Sequence, residues 1–516
     1  MAYFTHMSTL VGGSFTHTSG ITDLEVMVFN GQARLYSASF ADGGLASYAL
    51  ADGQVATYLD DLGAGPSRGT YGVVDLTLAI VNGVDILVPS GKYDDKVVVH
   101  ELDSDGAFDG AIQPSGSYQD FGGFTNTAVI TTSKGSFLFA SQSGESGIKG
   151  YKFGDNLSLS YMAATADDLT THLGDVSAMA TMQILTRSFL FVASSFDAGV
   201  TSLQIKNNGT TYLRDSVDPQ DGTGFSLTTV IETATVCGRN YLLMGSAGSD
   251  SIGVFHVSNK GILTETDYKQ DTLLTRFSGV EAIETLTYGS RVFVLAGGSD
   301  DGISLFELHP DGTLFLLESI SDQLDTSLQN ITSITAHVFN GQVQVFVAGS
   351  GEAGITQFSL DLGQLGDLFL GEKTGDTLVG GLGDDVVDGG RGKDILSGGM
   401  GDDLLLGGNG RDVISGDAGD DRLIDGIGRD TMTGGAGADV FVFCQDGVTD
   451  KVTDFTLGVD KLDLSGFDML YHYSALDIVN KSWGFLISVQ GELMRLYSSD
   501  SQSSDNSEFS QDDFIF

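Results

Sequence analysis

A nine-residue repeat between residues 371 and 442 is the feature that most constrains the fold of this chain. Within it, positions 380–415 read GGLGDDVVD, GGRGKDILS, GGMGDDLLL and GGNGRDVIS, and the register extends to eight consecutive units. Each unit carries aspartate at its sixth position and an apolar residue at its eighth. Interior glycine costs about 0.5–1 kcal/mol relative to alanine, and stacked aspartates repel one another. The pattern therefore requires a compensating interaction.

Such a repeat predicts a solenoid in which each unit forms one turn and one short strand. Glycines supply turn positions with positive φ, the eighth residues form a narrow core, and the aspartates point into the turns. Consecutive units alternate sides, so aspartates 18 residues apart lie on one flank. The predicted metal ligands are the eight sixth-position side chains Asp376, Asp385, Asp394, Asp403, Asp412, Asp421, Asp430 and Asp439.

A hard cation held between coils by carboxylates and turn carbonyls converts this repulsion into attraction. Calcium fits best, because it accepts about six to eight oxygen ligands in flexible geometry. Pairing each unit with the second unit after it gives room for up to about six Ca²⁺ ions. The turns that contain Glu372, Thr374, Asp417 or Asp425 depart from the glycine pattern, so ion sites there are weaker predictions.

The repeat resembles that of the RTX family, GGxGxDxUx, over 72 residues. The resemblance implies a parallel β-roll that binds calcium through these positions. The segment that follows, FVFCQDGVTDKVTDFTLGVDKLDLSGF (441–467), looks like the module that caps the roll in serralysin-type secreted proteins. Residues 483–498 have the pattern of a β-hairpin around Gln490-Gly491, and the polar stretch 498–513 is predicted to be loose.

Both ends of the chain bear on export. The start, MAYFTHMSTLVGGSF, has no basic region and no long apolar stretch, unlike a secretory signal peptide. The end, Asp513-Phe514-Ile515-Phe516, resembles the terminal signal of type I secretion substrates. Together with the repeats, this predicts a secreted, extracellular protein, free or associated with the cell surface, whose partners include the type I secretion apparatus.

Composition excludes several other partners. The net charge of -44 makes nucleic acid and anionic membranes poor partners. No apolar run reaches the roughly 18–20 residues of a membrane span. Cys237 and Cys444 exclude a disulfide framework, although a single bond between them stays open.

The first two-thirds of the chain contain a longer repeat. Seven stretches share a short apolar strand, a loop of small residues and an alternating strand: 36–50, 88–102, 139–153, 192–205, 244–257, 295–308 and 347–360. With four strands in a unit of about 52 residues, the pattern predicts a seven-bladed β-propeller. A β-sandwich or unrelated sheets is the alternative. Blades such as GISLFELHPDGTLFLLESI (302–320) resemble those of lactonase-type propellers.

These observations predict an all-β chain in three parts. They are a propeller (1–365), a calcium-binding parallel β-roll (366–442) and a β-rich C-terminal cap with the export signal (443–516).

The propeller loops carry one repeated polar feature. An acid lies in the loop of each unit: Asp42, Asp94, Glu145, Asp197, Asp250, Asp300 and Glu352. Such a ring on one face is either a cation-dependent binding surface or an acid site, or it is ordinary turn chemistry. Turn chemistry is favoured, because these residue types commonly bond their own loops.

Catalytic motifs are not found in the sequence. His100-Glu101 lacks the second histidine of HExxH, and Gly65–Gly69 matches G-x-S-x-G outside a strand-to-helix context. This favours extracellular binding, adhesion or surface-layer assembly, with glycan or further copies of the chain as ligands. The alternative is a secreted hydrolase of lactonase type, because propeller enzymes gather single residues from several blades.

Overall fold

A computed structural model describes residues 3–11, 17–65, 68–94, 97–112, 123–168, 171–219, 224–362, 365–467, 470, 472–498 and 509–515. The chain divides into two compact units, Met1–Asp361 and Leu362–Phe516. Among the described residues, no helix has the length and apolar character of a membrane span.

The first unit is a propeller of seven four-stranded antiparallel sheets, which confirms the predicted fold. Its strands, blade by blade, are β2–β5 (Ile21–Phe29, Gln32–Ser39, Gly44–Ala49, Thr57–Gly63); β6–β9 (Val73–Val81, Val84–Gly91, Val99–Leu102, Phe108–Ile112); β10–β13 (Phe124–Thr132, Gly135–Gln142, Ile148–Phe153, Leu159–Thr165); β14–β17 (Val176–Ile184, Arg187–Ser194, Gly199–Ile205, Thr211–Val217); β18–β21 (Thr228–Val236, Arg239–Ser246, Ser251–Val257, Leu263–Gln270); β22–β25 (Ala282–Tyr288, Arg291–Gly297, Gly302–Leu308, Leu314–Ser321); and β26–β28 (Ile331–Phe339, Gln342–Gly349, Ile355–Leu360) with β1 (Phe4–Leu10).

Turn chemistry fixes the hairpins at the start of the blades. In the first blade Asn30 and Gly31 have φ values of 48° and 81°, and in the seventh Asn340 and Gly341 have 44° and 86°. Two successive positive φ angles define the turn that matches the twist of paired strands, and Asn-Gly adopts it readily. These dipeptides therefore set the register of β2 with β3 and of β26 with β27.

The seventh blade is completed by the beginning of the chain. Strand β1 pairs antiparallel with β28, with Phe4 opposite Leu360 and Leu10 opposite Ile355. The sheet order β1-β28-β27-β26 shows that the outer strand of this blade comes from the N-terminal side. The ring is thus closed by backbone hydrogen bonds between segments more than 340 residues apart.

The second unit is a parallel β-solenoid of about six turns, as predicted for the β-roll. One sheet contains β29 (Leu365–Leu370), β31 (Asp384–Asp388), β34 (Leu404–Leu406), β37 (Arg422–Ile424), β40 (Val440–Val442), β42 (Lys461–Asp463) and β46 (Phe514–Ile515). The facing sheet contains β30 (Thr377–Leu382), β33 (Ile395–Met400), β36 (Val413–Ala418), β39 (Thr431–Ala436), β41 (Thr449–Phe455), β45 (Glu492–Ser498), β44 (Gly484–Val489) and β43 (Asp477–Lys481). A short third sheet contains β32 (Arg391–Gly392), β35 (Asn409–Gly410) and β38 (Ile427–Gly428), and 3-10 turns span Tyr473–Ala475 and Gln511–Asp513.

The core of the roll is built from the eighth position of each repeat. Parallel partners are 18 residues apart, as with Leu396 and Ile414. The eighth-position side chains from 387 to 441 are at most 1% exposed, and Leu378 packs against them. The row continues past the repeats through Val452 and Leu462. The apolar residue that recurs every nine positions therefore supplies one inward-facing side chain to each short strand.

The C-terminal residues complete the roll. The predicted hairpin is confirmed: β44 and β45 pair antiparallel, with Val489 opposite Glu492. Residues 499–508, predicted to be loose, lie outside the described residues. The prediction of looseness is wrong for 509–513, where Phe509 joins the core and Asp513 caps a 3-10 turn. Phe514 then pairs with Leu462, so this end is an integral part of the sheet.

Candidate metal centre

The glycines of the repeat allow the coils to stack with their backbones in contact. A Cβ atom at Gly410 would lie 1.7 Å from the carbonyl oxygen of Gly392 in the preceding coil. At Gly398 it would lie 2.1 Å from Oδ2 of Asp403. Such distances are far inside van der Waals contact, so any side chain here would force the coils apart and displace the carboxylate from the turn.

The sixth-position aspartates form two columns, which we call the aspartate ladder. One column contains Asp385, Asp403, Asp421 and Asp439, and the other contains Asp376, Asp394, Asp412 and Asp430. In each column, Oδ1 of one aspartate accepts a hydrogen bond from the backbone N–H of the aspartate 18 residues earlier, at 2.6–3.0 Å. Seven of the eight side chains are buried, and Asp376 in the first coil is half-buried.

The second carboxylate oxygen, Oδ2, lacks a hydrogen-bond partner in most of the ladder. Oδ2 accepts no hydrogen bond in five buried side chains: Asp394, Asp403, Asp412, Asp421 and Asp430. In the first coils Oδ2 does find a donor, since Asp376 accepts the N–H of Glu372 and Asp385 that of Gly381. Buried polar groups in proteins are nearly always hydrogen-bonded, so five unpaired carboxylate oxygens in two adjacent columns favour a cation as their partner.

Burial also disturbs the acidity of the ladder. It raises the pKa of Asp403, Asp412 and Asp430 to about 6 and that of Asp421 to about 7, with neighbouring carboxylates adding to the effect. Desolvation disfavours the charged form of an acid. In the ion-free fold these carboxyl groups therefore keep their protons to a higher pH than a solvent-exposed aspartate does.

The donor set fits calcium. The ladder offers carboxylate oxygens in stacked turns and no sulfur or imidazole ligand, a set that suits hard divalent cations. Calcium bound there would neutralise the unpaired Oδ2 atoms. The eight aspartates predicted from the sequence are brought together in two columns by the fold, and their assignment as ligands stays a prediction.

The residues at the fifth position differ between the two flanks. Beside the Asp403 column three of the four are acids, Asp384, Asp402 and Asp420, and the N–H of Asp402 donates to Oδ1 of Asp384 at 2.9 Å. This bond runs in the opposite direction to the ladder. Beside the Asp412 column three of the four are exposed bases, Lys393, Arg411 and Arg429. The sequence shows these residues, but their separation onto opposite flanks follows only from the 18-residue coil.

The propeller contains a second group of buried acids, which sequence reasoning missed. Asp23, Glu25, Asp75, Glu232 and Glu284 line two adjoining cavities of about 180 and 260 Å³ between the inner strands. Burial raises the pKa of Asp23 and Glu232 to about 7 and that of Asp75 to about 6. The acids fall in different blades, so no spacing in the sequence connects them.

Three of these five residues, which we call the channel acids, accept a hydrogen bond from a backbone N–H of the inner strand of the next blade. Asp23 accepts the N–H of Leu76 at 2.7 Å, Asp75 accepts that of Thr127 at 2.9 Å, and Glu284 accepts that of Ala336 at 3.1 Å. Innermost strands have no partner on the channel side, so their N–H groups need such acceptors. These hydrogen bonds join successive blades.

The loop acids have local partners. Oδ2 of Asp42 accepts the N–H of Ser19 at 3.1 Å, and Oδ2 of Asp197 accepts that of Gly174 at 2.8 Å. In the sixth blade Oδ1 of Asp301 accepts the N–H of Asn330 at 3.2 Å, whereas Oδ1 of the predicted Asp300 is buried and accepts no hydrogen bond. The hydrogen bonds of Asp42 and Asp197 are those of ordinary turn chemistry.

The weak catalytic motifs gain no support. Pro66 and Ser67 of the G-x-S-x-G match lie outside the described residues. His100 is buried, and its Nε2 lies 2.7 Å from the carbonyl oxygen of Arg68, which gives it a structural role.

Comparison with known proteins identifies the repeats. The model of the RTX calcium-binding nonapeptide repeat matches residues 370–405 and 406–441, which confirms the predicted resemblance. A sequence search of curated proteins finds no match. A crystal structure of a protein from Lactobacillus plantarum is 14% identical with a TM-score of 0.48, covering 64% of this chain and 93% of its own. A functionally unknown protein from Desulfotomaculum acetoxidans is 13% identical with a TM-score of 0.41, covering 65% and 95%.

Proposed function

We propose that this is a secreted protein whose C-terminal unit folds on calcium outside the cell and whose propeller binds an extracellular ligand. The five buried, unpaired Oδ2 atoms of the aspartate ladder carry the first part of the proposal. Without a cation they oppose folding, and with Ca²⁺ they become ligands. The roll is thus proposed to fold only when calcium is bound.

Export follows from the same dependence. RTX repeat proteins are typically secreted. In a cytosol poor in calcium the roll would stay unfolded enough to pass through a type I secretion channel, and the calcium outside would then fold it. The refolded roll would be unable to slip back, because the ion-bound coils are compact.

Exposed aromatic rings favour a binding role for the propeller. The loops between the second and third strands of blades one, two and four present Phe40, Tyr93 and Phe196, of which Phe196 is 82% exposed. Aromatic faces at loop tips suit stacking on sugar rings or on another copy of the chain. Each of the two channel cavities, by contrast, is smaller than the roughly 300–1,000 Å³ of typical ligand pockets. Adhesion or surface-layer assembly is therefore preferred over hydrolysis.

The binding role is tested with the double variant Tyr93→Ala, Phe196→Ala. It should lose glycan-array binding or self-association seen in the wild type, while Tyr212→Ala, which removes an exposed ring from an outer strand, should retain it. Equal binding by both variants would exclude these loops. Turnover of a lactone panel by the wild type, abolished by Asp75→Asn, would favour the hydrolase instead.

A further inference from the structure

Each column of the aspartate ladder continues for one rung beyond the last repeat, at Asp450 in one column and at Asp460 in the other. Oδ1 of Asp450 accepts the N–H of Asp430 at 2.8 Å, although the two residues are 20 apart instead of 18. The additional residues form a loop that contains Asp446, whose Oδ2 accepts the N–H of Gly428 at 2.6 Å. The end of the roll therefore keeps the carboxylate geometry of the repeats with a different sequence.

A third carboxylate enters this rung from the C-terminal hairpin. Glu492 begins β45, and its Oε2 accepts the N–H groups of Asp446 and Gly447 at 3.0 and 2.7 Å. One oxygen from each of Asp446, Asp450 and Glu492 lies within 4.8 Å of the other two. Among the described residues this is the one group of three acidic, histidine or cysteine side chains that converges so closely.

The group also contains an unpaired, buried oxygen. Glu492 is fully buried, and its Oε1 accepts no hydrogen bond. Oδ2 of the adjoining Asp430 is likewise buried and unpaired. In the described part of the chain no lysine or arginine forms an ion pair with these acids, and Lys451 instead places its Nζ 4.5 Å from the ring centre of Tyr497. Two buried carboxylates and a half-buried one without a compensating charge are strongly destabilising.

We propose that Asp446, Asp450 and Glu492 bind a calcium ion that fastens the C-terminal hairpin to the last coil. The ligand set is oxygen only, and its oxygens come from a loop, a strand and a hairpin, which suits the flexible coordination of Ca²⁺ better than the strict octahedron of Mg²⁺. The ion sits at the start of the parallel pairing of β45 with β41, where Thr449 lies opposite Leu493. Calcium thus fixes the position of the hairpin against the roll.

This site deepens the proposed calcium-dependent folding and rests on it. Full-length Glu492→Gln should bind one Ca²⁺ fewer than the wild type in equilibrium dialysis, since glutamine keeps an acceptor for the two N–H groups but removes the charge. Asp477→Asn, which removes an exposed charge at the start of β43, should bind the wild-type number. In hydrogen exchange, calcium should protect residues 484–497 in the wild type and the control, but about 10-fold less in Glu492→Gln.

Unchanged ion number and protection in Glu492→Gln would overturn the inference. If that variant does not fold, a crystal structure of the calcium-loaded wild type decides the question. It should show an ion at about 2.3–2.6 Å from oxygens of all three side chains. Filled repeats with this position empty would refute the inference alone, whereas a chain that binds no calcium would refute the proposed function.

Discussion

Removal of calcium should unfold the roll and leave the propeller intact. Five buried Oδ2 atoms of the ladder have no partner without the ion. A buried unsatisfied polar group costs about 1–3 kcal/mol, and more if charged, so five of them cost about 5–15 kcal/mol. This range equals the whole free energy of unfolding of an ordinary domain, about 5–15 kcal/mol. The ion-free roll is therefore not expected to stay folded.

Hydrogen exchange of the full chain measures the stability of the roll and of the propeller separately. In calcium, the slowest amides of β33, β36 and β39 should be protected. In a chelator with excess magnesium, a loss of at least about 5 kcal/mol should speed their exchange by more than about 1,000-fold. Strands β15 and β19 of the propeller, whose side chains are almost wholly buried without acids among them, serve as the internal control.

If the roll amides kept their protection in the chelator, the unpaired oxygens would have to be hydrated or protonated at little cost. Loss of protection in both units would instead show that the propeller depends on calcium too, for which the hydrogen bonds of the channel acids give no reason.

Three further predictions concern single elements. Asp403→Ala should weaken calcium binding at least about 10-fold, whereas Asp384→Ala, which loses one backbone hydrogen bond worth about 0.5–1.5 kcal/mol, should leave affinity within about 3-fold by calorimetry; equal losses would contradict the ladder assignment. Because burial raises the pKa of Asp421 to about 7 above an unfolded value near 4, the folded ion-free roll binds more protons than the unfolded chain, so its stability falls as the pH rises from about 4 to 7. The calcium midpoint by circular dichroism should accordingly rise about 10-fold or more from pH 7.5 to 5, and a pH-independent midpoint would exclude ligand protonation. Deleting 513–516 should lower secretion and also destabilise the roll, since Phe514 is a core residue; normal secretion of the truncated chain would exclude the terminal export signal.

The regular elements were predictable because their periods are short. The nine-residue spacing places one aspartate and one core residue in every unit, and Asn30-Gly31 or Gln490-Gly491 marks a hairpin by local backbone preference alone. The sequence also predicted seven blades, since each repeats the same strand-loop-strand pattern.

What the sequence missed depends on distant pairing. Nothing in Phe4–Leu10 marks it as the outer strand of the seventh blade, because its partner lies more than 340 residues away. The rung at Asp450 was not predicted from the sequence, because the spacing between the aspartates changes there from 18 to 20 residues. Glu492 is an ordinary hairpin residue until the fold brings it to Asp446.

The unequal fifth-position residues beside the two columns have a consequence for how the roll fills. A unit charge more than about 4 Å away changes the energy of an ion by less than about 1 kcal/mol in water. Asp384 and Asp402 should therefore strengthen calcium binding slightly on their flank, and Lys393 and Arg411 should weaken it on the other. The roll should then bind calcium in two steps, with the sites of the acidic flank filled at a lower calcium concentration than the sites of the basic flank. One nine-residue repeat would thus respond to two different calcium concentrations. A titration with a single sharp step would show that both flanks fill together.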